Sequence, residues 1–165
     1  MVDLPKDSKT IGCRWVKTRL AAKGYAQTEC IDYNKIFSPI IKHMFIRMLL
    51  AIVAQFDLEL KQLDVKISFL HGELEERIYM KQPERYIQER QENTSSQKSL
   101  YGLEQSPRQW YKRFDSFMIK ARYTRCEYDS CVYFKQNNNP IYLSLYADDM
   151  LIAARNKTHI QKLKA

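Results

Sequence analysis

Two neighbouring aspartates, Asp148 and Asp149, stand between two short apolar runs. Residues 141–145 alternate in polarity and residues 150–154 are wholly apolar, so the pattern predicts two β-strands joined by a tight turn. Adjacent carboxylates repel each other unless a positive charge lies nearby. In solvent that repulsion is small, and an Asp-Asp pair in an exposed turn is an ordinary structural feature.

A third carboxylate, Asp64, ends a segment whose leucines predict another strand, beginning near Leu58. If that strand end lies beside the aspartate turn in one sheet, Asp64 and Asp148 converge on the same point. Carboxylate oxygens suit Mg²⁺, which binds through one or two protein carboxylates together with substrate phosphates. Two such ions could activate a 3′-hydroxyl and stabilise a departing pyrophosphate, so the pattern indicates phosphoryl transfer.

The net charge of the chain is consistent with a phosphate-containing partner. The 165 residues carry 27 Lys and Arg against 19 Asp and Glu, a formal charge of +8, and 45% of them are hydrophobic. This length has room for one domain or a piece of a larger one, with enough apolar residues for a core. A basic balance favours a polyanion such as nucleic acid, although a solvated basic surface without a partner gives the same number.

The sequence is not expected to belong to a membrane, secreted or zinc-binding protein. The longest apolar stretch, 44–56, is interrupted by Arg47 and Gln55, so no membrane span is predicted. The first residues lack the apolar core of a secretory signal, which favours a cytoplasmic or nuclear protein with reduced thiols. The four cysteines have no C-x-x-C spacing and the three histidines are isolated, so a zinc site is not expected.

Two helices are predicted from apolar spacing. Phe45, Leu49, Ile52 and Phe56 repeat at helical intervals and predict a helix over 43–55 with one core face, and Ser38-Pro39 resembles a helix start. The second helix begins at Ser106-Pro107 and continues to about residue 122. Its expected core face is formed by Trp110, Phe114, Phe117, Met118 and Ala121.

The remaining segments read as strands and loops. Residues 14–20 predict a basic strand and 77–80 a short strand, preceded by an acidic loop that contains Glu73, Glu75 and Glu76. Residues 84–98 are almost wholly polar and predict an exposed loop. Residues 131–134 predict a strand, with a turn at 137–140.

An ordered series of short strings resembles the reverse transcriptase domain of copia-type LTR retrotransposons. The strings follow family order over about residues 11–155. They are Arg14-Trp15-Val16, Arg19-Leu20-Ala21-Ala22-Lys23-Gly24-Tyr25-Ala26-Gln27, Ile31-Asp32-Tyr33, Phe37-Ser38-Pro39, Gln62-Leu63-Asp64-Val65, Phe69-Leu70-His71-Gly72, Ile78-Tyr79-Met80, Ser99-Leu100-Tyr101-Gly102-Leu103, Gln109-Trp110-Tyr111 and Tyr146-Ala147-Asp148-Asp149. A lone Tyr-x-Asp-Asp is weak, whereas this ordered set is highly specific.

The resemblance implies an RNA-directed DNA polymerase that transfers nucleotides from dNTPs to a primer 3′-hydroxyl by a two-metal mechanism. It implies that Asp64 and Asp148 hold two Mg²⁺ ions, for which Mn²⁺ can substitute, and that Asp149 supports them. The implied partners are an RNA or DNA template with its primer, dNTPs, and the integrase and RNase H domains of an intact Pol polyprotein. No membrane partner is expected.

The resemblance also implies a nucleotide-binding set. Phe69 falls where these enzymes place an aromatic gate against a 2′-hydroxyl, and Tyr101-Gly102 falls where they shape the floor under the nucleotide. Arg19 and Lys23 match a segment that meets the triphosphate. The alternatives are a plain core aromatic for Phe69 and a solvated basic strand for the two cations.

The expected fold class is α+β. It comprises a palm-type, ferredoxin-like antiparallel sheet with helices on one face, partial fingers and no thumb. Residues 1–42 are assigned to the fingers and 43–165 to the palm, with residues 84–98 as its exposed loop.

The sequence departs from the family pattern at places that bear on activity. A fingers hairpin is absent between Val16 and Arg19, Lys66 and Ile67 replace Asn, Ser68 replaces Ala, and Glu104 replaces Lys. With the chain ending soon after the aspartate turn, we expect this truncated form to be inactive alone. The alternatives are a non-catalytic nucleic-acid-binding remnant and a different two-metal phosphotransfer enzyme.

Overall fold

The computed structural model describes residues 10–16, 19–30, 32–33, 35–81, 93–136 and 139–162. Within these ranges the chain is mixed α+β. Its elements in chain order are β1 (Thr10–Ile11), β2 (Cys13–Val16), β3 (Arg19–Ala22), α1 (His43–Phe56), β4 (Glu59–Asp64), β5 (Glu73–Lys81), β6 (Asn93–Lys98), α2 (Ser106–Lys120), β7 (Thr124–Arg125), β8 (Val132–Lys135), β9 (Ile141–Tyr146), β10 (Asp149–Ala154) and α3 (Lys157–Lys162). Short 3-10 turns lie at Gly24–Ala26 and Ser68–His71.

The chain divides into two compact units. Unit 1 comprises residues 1–38 and 67–113, and unit 2 comprises residues 39–66 and 114–165. Helix α2 begins in unit 1 and ends in unit 2. The functional division into 1–42 and 43–165 stays a prediction. No helix in the described part of the chain is long and apolar enough to cross a membrane.

Unit 1 contains two small sheets. Strands β1, β5 and β6 lie side by side in that order, with β1 parallel to β5, while β2 and β3 form a separate antiparallel pair. The prediction of one basic strand over 14–20 is therefore wrong, because β2 ends at Val16 and the antiparallel β3 begins at Arg19. The core of this unit is formed by Ile11, Ala22, Ile78, Met80 and Leu103, all buried.

The predicted acidic loop before residue 77 is wrong, because Glu73, Glu75 and Glu76 belong to β5. The strand alternates, with Glu73, Glu75 and Arg77 exposed and the residues between them partly or fully buried. Glu75 forms an ion pair with Lys112. Hydrogen bonding from that ammonium is the main cause that lowers the pKa of the Glu75 carboxyl. Glu73 and Glu75 thus share the solvent face of the strand, whereas Glu76 lies on the opposite, half-buried face.

The predicted exposed loop over 84–98 is wrong in its last part, since residues 93–98 form β6. Among the described strands, β6 lies at the edge of its sheet and pairs with β5 alone. Polar residues are tolerated at an edge because one side of the strand stays in water. Residues 84–92 lie outside the described residues.

Unit 2 is built on a five-stranded antiparallel sheet with the order β4-β10-β9-β8-β7. The strands predicted to flank the aspartate turn and to end at Asp64 are confirmed. Four of the six residues of β9 are buried and Tyr142 is half-buried. Ile152, Ala153 and Ala154 of β10 are fully buried. Burial of successive residues means that both faces of these strands are covered.

The helices of unit 2 contact opposite faces of this sheet, which corrects the prediction of helices on one face. Val132, Ser144, Leu151 and Gln62 lie opposite one another in register. The last three of these residues, together with His43 and Ile46 of α1, line one cavity. Tyr133, one residue along β8, points the other way and packs edge-on against Phe114 of α2 at 5.7 Å between ring centroids. An apolar sheet needs a layer on each face, and the wholly apolar run 150–154 is the sequence signal for it.

Helix α1 matches its predicted range but begins differently from the predicted Ser38-Pro39 start. Its N-cap is Lys42, whose backbone N–H donates to the buried Asp129 carboxylate at 2.8 Å. Asp129 also accepts the N–H of Cys131 at 2.9 Å. Phe45 and Leu49 are buried as expected, whereas Phe56 is 62% exposed at the end of the helix.

Helix α2 is confirmed, but it ends at Lys120 rather than at about residue 122, so that Ala121 of its predicted core face lies beyond the helix and is half-buried. Trp110, Phe114 and Met118 are buried, but Phe117 is 55% exposed. Residues 110, 114 and 118 follow the four-residue spacing of one helical face, and residue 117 lies beside that face. Ser106 starts the helix, yet its hydroxyl donates to the Leu100 carbonyl at 2.6 Å instead of capping α2.

The packing around Gly72 explains why the string Phe69–Gly72 ends in a glycine. A Cβ atom at Gly72 would lie 2.9 Å from the Gln109 Cβ and 3.2 Å from the Ser99 Cβ. The Gly72 carbonyl accepts the Ser99 N–H at 2.9 Å. Glycine is therefore required for close packing of the 3-10 turn against α2, within unit 1.

Candidate functional site

The three candidate catalytic aspartates lie at the ends of neighbouring strands in unit 2. Asp64 ends β4, Asp149 begins β10, and the two residues are directly opposite in the antiparallel register. Asp149 is also opposite Tyr146 of β9, so Ala147 and Asp148 form a two-residue turn. Directly paired residues point to the same face of a sheet, which places the Asp64 and Asp149 side chains on one face.

Backbone and side-chain hydrogen bonds hold this turn against β4. The Val65 N–H donates to the Asp148 carbonyl at 3.0 Å. The Gln62 side-chain Nε2 donates to Asp149 Oδ1 at 3.3 Å. Ala147 has a φ of 54°, in the left-handed region that a tight reversal requires. The sequence-based expectation that the Asp64 strand end adjoins the Asp148-Asp149 turn is thus met by the strand pairing.

The aspartates carry negative charge that the described residues leave unpaired. Asp64 is exposed and Asp148 and Asp149 are half-buried. No ion pair joins any of them to a Lys or Arg within the described ranges. Neighbouring carboxylates without a cation repel one another, and a bound cation would relieve that repulsion.

The described residues contain no group of three or more His, Cys, Asp or Glu side chains that could hold a metal ion together. Mg²⁺ is commonly held by one or two protein carboxylates, with water and substrate phosphates completing the octahedron. The oxygen-only donor set of Asp64, Asp148 and Asp149 is of the chemical type that Mg²⁺ selects.

Three of the predicted nucleotide-binding residues lie together in unit 1. The Phe69 and Tyr101 rings meet edge to face with their centroids 5.2 Å apart. Gly102 follows Tyr101 with a φ of 90°, a conformation that L side chains rarely adopt. A Cβ atom there would lie 2.2 Å from the Ala22 carbonyl oxygen, so the glycine permits a close approach of two backbones.

The backbone of residues 22–24, at the end of the basic segment, contacts the backbone of Tyr101 and Gly102. The Ala22 N–H donates to the Tyr101 carbonyl at 2.7 Å, and a Cβ at Gly24 would lie 1.8 Å from the Gly102 carbonyl oxygen. Lys23 lies between them, with its N–H donating to the Gly12 carbonyl at 2.8 Å. The Arg19 backbone belongs to β3, but its side chain lies outside the described residues.

Sequence reasoning missed two glutamines. Gln62 is the hydrogen-bond partner of Asp149. Its position two residues before Asp64 could have indicated this role, because that spacing puts Gln62 and Asp64 on one face of a strand. Gln105, 1% exposed, accepts from the Gln27 amide at 3.0 Å and donates to the Asp32 carbonyl at 3.3 Å. Gln27 in turn accepts the Glu104 N–H at 2.9 Å. No periodicity argument predicts that network.

Together these observations define a mixed α+β protein with unpaired carboxylates at adjacent strand ends of an antiparallel sheet. A family model described as "Reverse transcriptase (RNA-dependent DNA polymerase)" matches residues 1–165. The chain belongs to this family.

Known proteins agree with the copia-type resemblance, which is confirmed. The chain is 47% identical to the retrovirus-related Pol polyprotein from transposon TNT 1-94 of Nicotiana tabacum, in an alignment that covers 99% of this chain and 14% of the polyprotein. It is 33% identical to the corresponding polyprotein from transposon RE1 of Arabidopsis thaliana, with 93% of this chain and 12% of the polyprotein covered. The chain therefore spans a small part of these relatives. No solved structure matches it.

Proposed function

We propose that this chain is the segment of a retrotransposon Pol polyprotein that adds nucleotides from dNTPs to the 3′-hydroxyl of a primer on an RNA or DNA template. The register of β4 against β10 carries the proposal, because it brings Asp64, Asp148 and Asp149 to one end of one sheet. In this proposal the unit 2 sheet is the polymerase palm, and residues 1–42 belong to the fingers. The integrase and RNase H domains of a polyprotein are the expected neighbours.

Asp64 and Asp148 would hold the metal ions, with Asp149 in support. Two Mg²⁺ ions, or Mn²⁺ in their place, would supply activation of the 3′-hydroxyl and stabilisation of charge on the leaving pyrophosphate. The unpaired charge of the three carboxylates and their oxygen-only donor set support this assignment.

The chain's own residues orient those carboxylates. The Gln62 amide, through its bond to Asp149 Oδ1, restricts rotation of that carboxylate. The Val65 N–H, through its bond to the Asp148 carbonyl, fixes the tip of the hairpin relative to β4. Such positioning matters because a displacement of about 1 Å can cost about 100-fold in rate.

For the nucleotide, Phe69 is proposed as the gate against a 2′-hydroxyl, with Tyr101 packed on its ring. Gly102 keeps the adjoining backbone free of a side chain, and Lys23 and Arg19 are proposed to meet the triphosphate. The Phe69–Tyr101 contact and the positive φ of Gly102 support the first two assignments.

Inactivity of the isolated 165-residue chain is part of the proposal. Two observations between Asp64 and Phe69 support it. Ile67 is a β-branched residue with a φ of 55°, which is a strained conformation for that residue type. The Ser68 hydroxyl is buried and has no hydrogen-bond partner among the described residues. Both positions are departures from the family pattern.

A chimera tests the function. The tobacco polyprotein would carry this chain in place of its matching segment, and extension of a DNA primer on an RNA template would be measured with Mg²⁺ and dNTPs. We expect weak extension by the chimera and stronger extension after Ile67→Asn and Ser68→Ala. In that second chimera we expect a loss of at least 1000-fold with Asp148→Asn or Asp64→Asn and little change with the exposed control Asp57→Asn. Extension that survives both aspartate substitutions would contradict the assignment, as would an inactive chimera that still fails after Ile67→Asn and Ser68→Ala.

The second candidate function is nucleic-acid binding without catalysis, and the formal charge of +8 is the observation that favours it. Such binding weakens steeply with salt and needs no Mg²⁺. Salt-dependent binding of primer–template by the chimera, without any nucleotide transfer, would select this alternative.

A further inference from the structure

A cavity of about 240 Å³ lies within unit 2, between the first turn of α1 and the sheet. His43 and Ile46 line it from the helix, and Gln62, Ser144, Asp149 and Leu151 are among the sheet residues that line it. The register places these sheet residues on one face, as the rows Gln62–Leu151–Ser144 and Asp149–Tyr146.

The cavity combines apolar walls with a few convergent polar groups. Ile46 and Leu151 are aliphatic, while Gln62, Ser144 and Asp149 contribute an amide, a hydroxyl and a carboxylate. Small-molecule sites have this composition. The volume is somewhat below that of sites for drug-sized compounds, so the occupant would be a compound of one ring or two fused rings.

Ser144 supplies a hydroxyl to the cavity. The residue as a whole is 3% exposed, and no hydrogen bond joins its hydroxyl to the residues that the structure describes. Solvent reaches this hydroxyl through the cavity that it lines. The hydroxyl is therefore available to a ligand that carries a hydrogen-bonding group.

Asp149 determines the charge of the ligand. Its Oδ1 accepts from Gln62, whereas Oδ2 accepts no hydrogen bond within the described ranges. The lining contains no Lys or Arg. A carboxylate partly removed from water favours a cationic donor, and an amidinium matches its two oxygens.

We propose that this cavity is a binding site for a small flat aromatic cation, which would pair with Asp149 and hydrogen-bond to Ser144 while its ring packs between Ile46 and Leu151. The site shares Asp149 with the proposed metal site, where that residue has a supporting role, and it includes none of the proposed nucleotide-binding residues. Its existence does not depend on polymerase activity.

Benzamidinium and neutral benzamide are suitable probes, since they share a shape and differ in charge. Both would be titrated into the ¹⁵N-labelled 165-residue chain at pH 8, with amide chemical shifts as the readout. We expect benzamidinium to shift the amides of Gln62, Ser144 and Leu151 with a dissociation constant of about 1 mM. Benzamide should bind at least tenfold more weakly.

Two variants complete the test, and each is checked for an unchanged fold from its own spectrum. Asp149→Asn should abolish the preference for the cation, whereas Asp57→Asn removes the same charge from an exposed position and should leave it intact. Ser144→Val should weaken benzamidinium about threefold or more. Equal binding of both probes by the unmodified chain, shifts located elsewhere, or a preference that persists in Asp149→Asn would overturn the proposal.

Discussion

Replacement of Ser68 by alanine should stabilise unit 1. Ser68 is fully buried and its Oγ has no hydrogen-bond partner among the described residues. A buried hydroxyl in that state costs about 1–3 kcal/mol, which its removal recovers. The void left by one oxygen, about 10 Å³, costs about 0.2 kcal/mol at about 24 cal/mol per Å³. The net expectation is a gain of about 1–2 kcal/mol in the free energy of unfolding.

Urea unfolding followed by tryptophan fluorescence measures this change. The two tryptophans, Trp15 and Trp110, both belong to unit 1, so the signal reports the unit that contains Ser68. With a slope of about 2 kcal/mol per M, the midpoint should rise by about 0.5–1 M at unchanged slope.

Ser106→Ala is the matched control, because it makes the same change at another buried serine of unit 1. Ser106 Oγ donates to the Leu100 carbonyl and accepts from the buried Ser99 hydroxyl, both at 2.6 Å. Its loss leaves two buried groups unsatisfied and should destabilise by about 2–3 kcal/mol. If Ser68→Ala destabilised the unit as much as Ser106→Ala does, the conclusion that Ser68 is unpartnered would be refuted.

Two further predictions concern unit 2. Asp129→Ala removes the acceptor for the N–H groups of Lys42 and Cys131. It should therefore lower the free energy of unfolding of the unit by about 2–4 kcal/mol and speed hydrogen exchange at the start of α1. Unchanged exchange there would contradict the anchoring role of Asp129. Burial, with a smaller contribution from Asp129, raises the pKa of the Cys131 thiol to about 12. The unfolded chain therefore loses this proton first, so this thiol's contribution to stability is complete below about pH 8.5 and is lost as the pH rises towards 12. Iodoacetamide labelling read by mass spectrometry should modify exposed Cys30 well before Cys131, and equal rates in the folded protein would refute the buried placement.

The sequence predicted the parts of the site that depend on local pattern. Alternation and apolar runs placed strands before Asp64 and on both sides of the Asp148-Asp149 turn, because each strand carries its own period. The adjacency of β4 and β10 required an assumption about which strands pair, and only the folded register supplies it.

The errors lie where tertiary contacts override a local pattern. Phe56 and Phe117 have helical spacing but lie at the margin of a buried face. The acidic run of β5 was predicted as a loop because it contains three acids in four residues, although Glu73 and Glu75 lie on the solvent face of a strand and Glu76 on the half-buried face. The start of α1 is set by Asp129, which is 87 residues away in sequence, so no local capping signal could locate it.

The Ile67 and Ser68 departures show how structure adds to a resemblance. Compared with the family, they are two ordinary substitutions. In the fold, Ile67 occupies a left-handed position that Asn adopts more easily, and Ser68 places a hydroxyl where the described surroundings offer no partner. The Asn and Ala that the resemblance implies at these two positions are the residues that the local structure favours.

The most direct test of the central claim is the location of a bound divalent cation. Mn²⁺ would be added at substoichiometric concentration to the ¹⁵N-labelled chain, and paramagnetic broadening would be measured for each amide. The account predicts broadening centred on Asp64, Asp148 and Asp149, displaced by excess Mg²⁺ and lost in Asp64→Asn and Asp148→Asn but retained in Asp57→Asn. Broadening centred elsewhere, or unchanged in both aspartate variants, would contradict a metal site at the paired ends of β4 and β10.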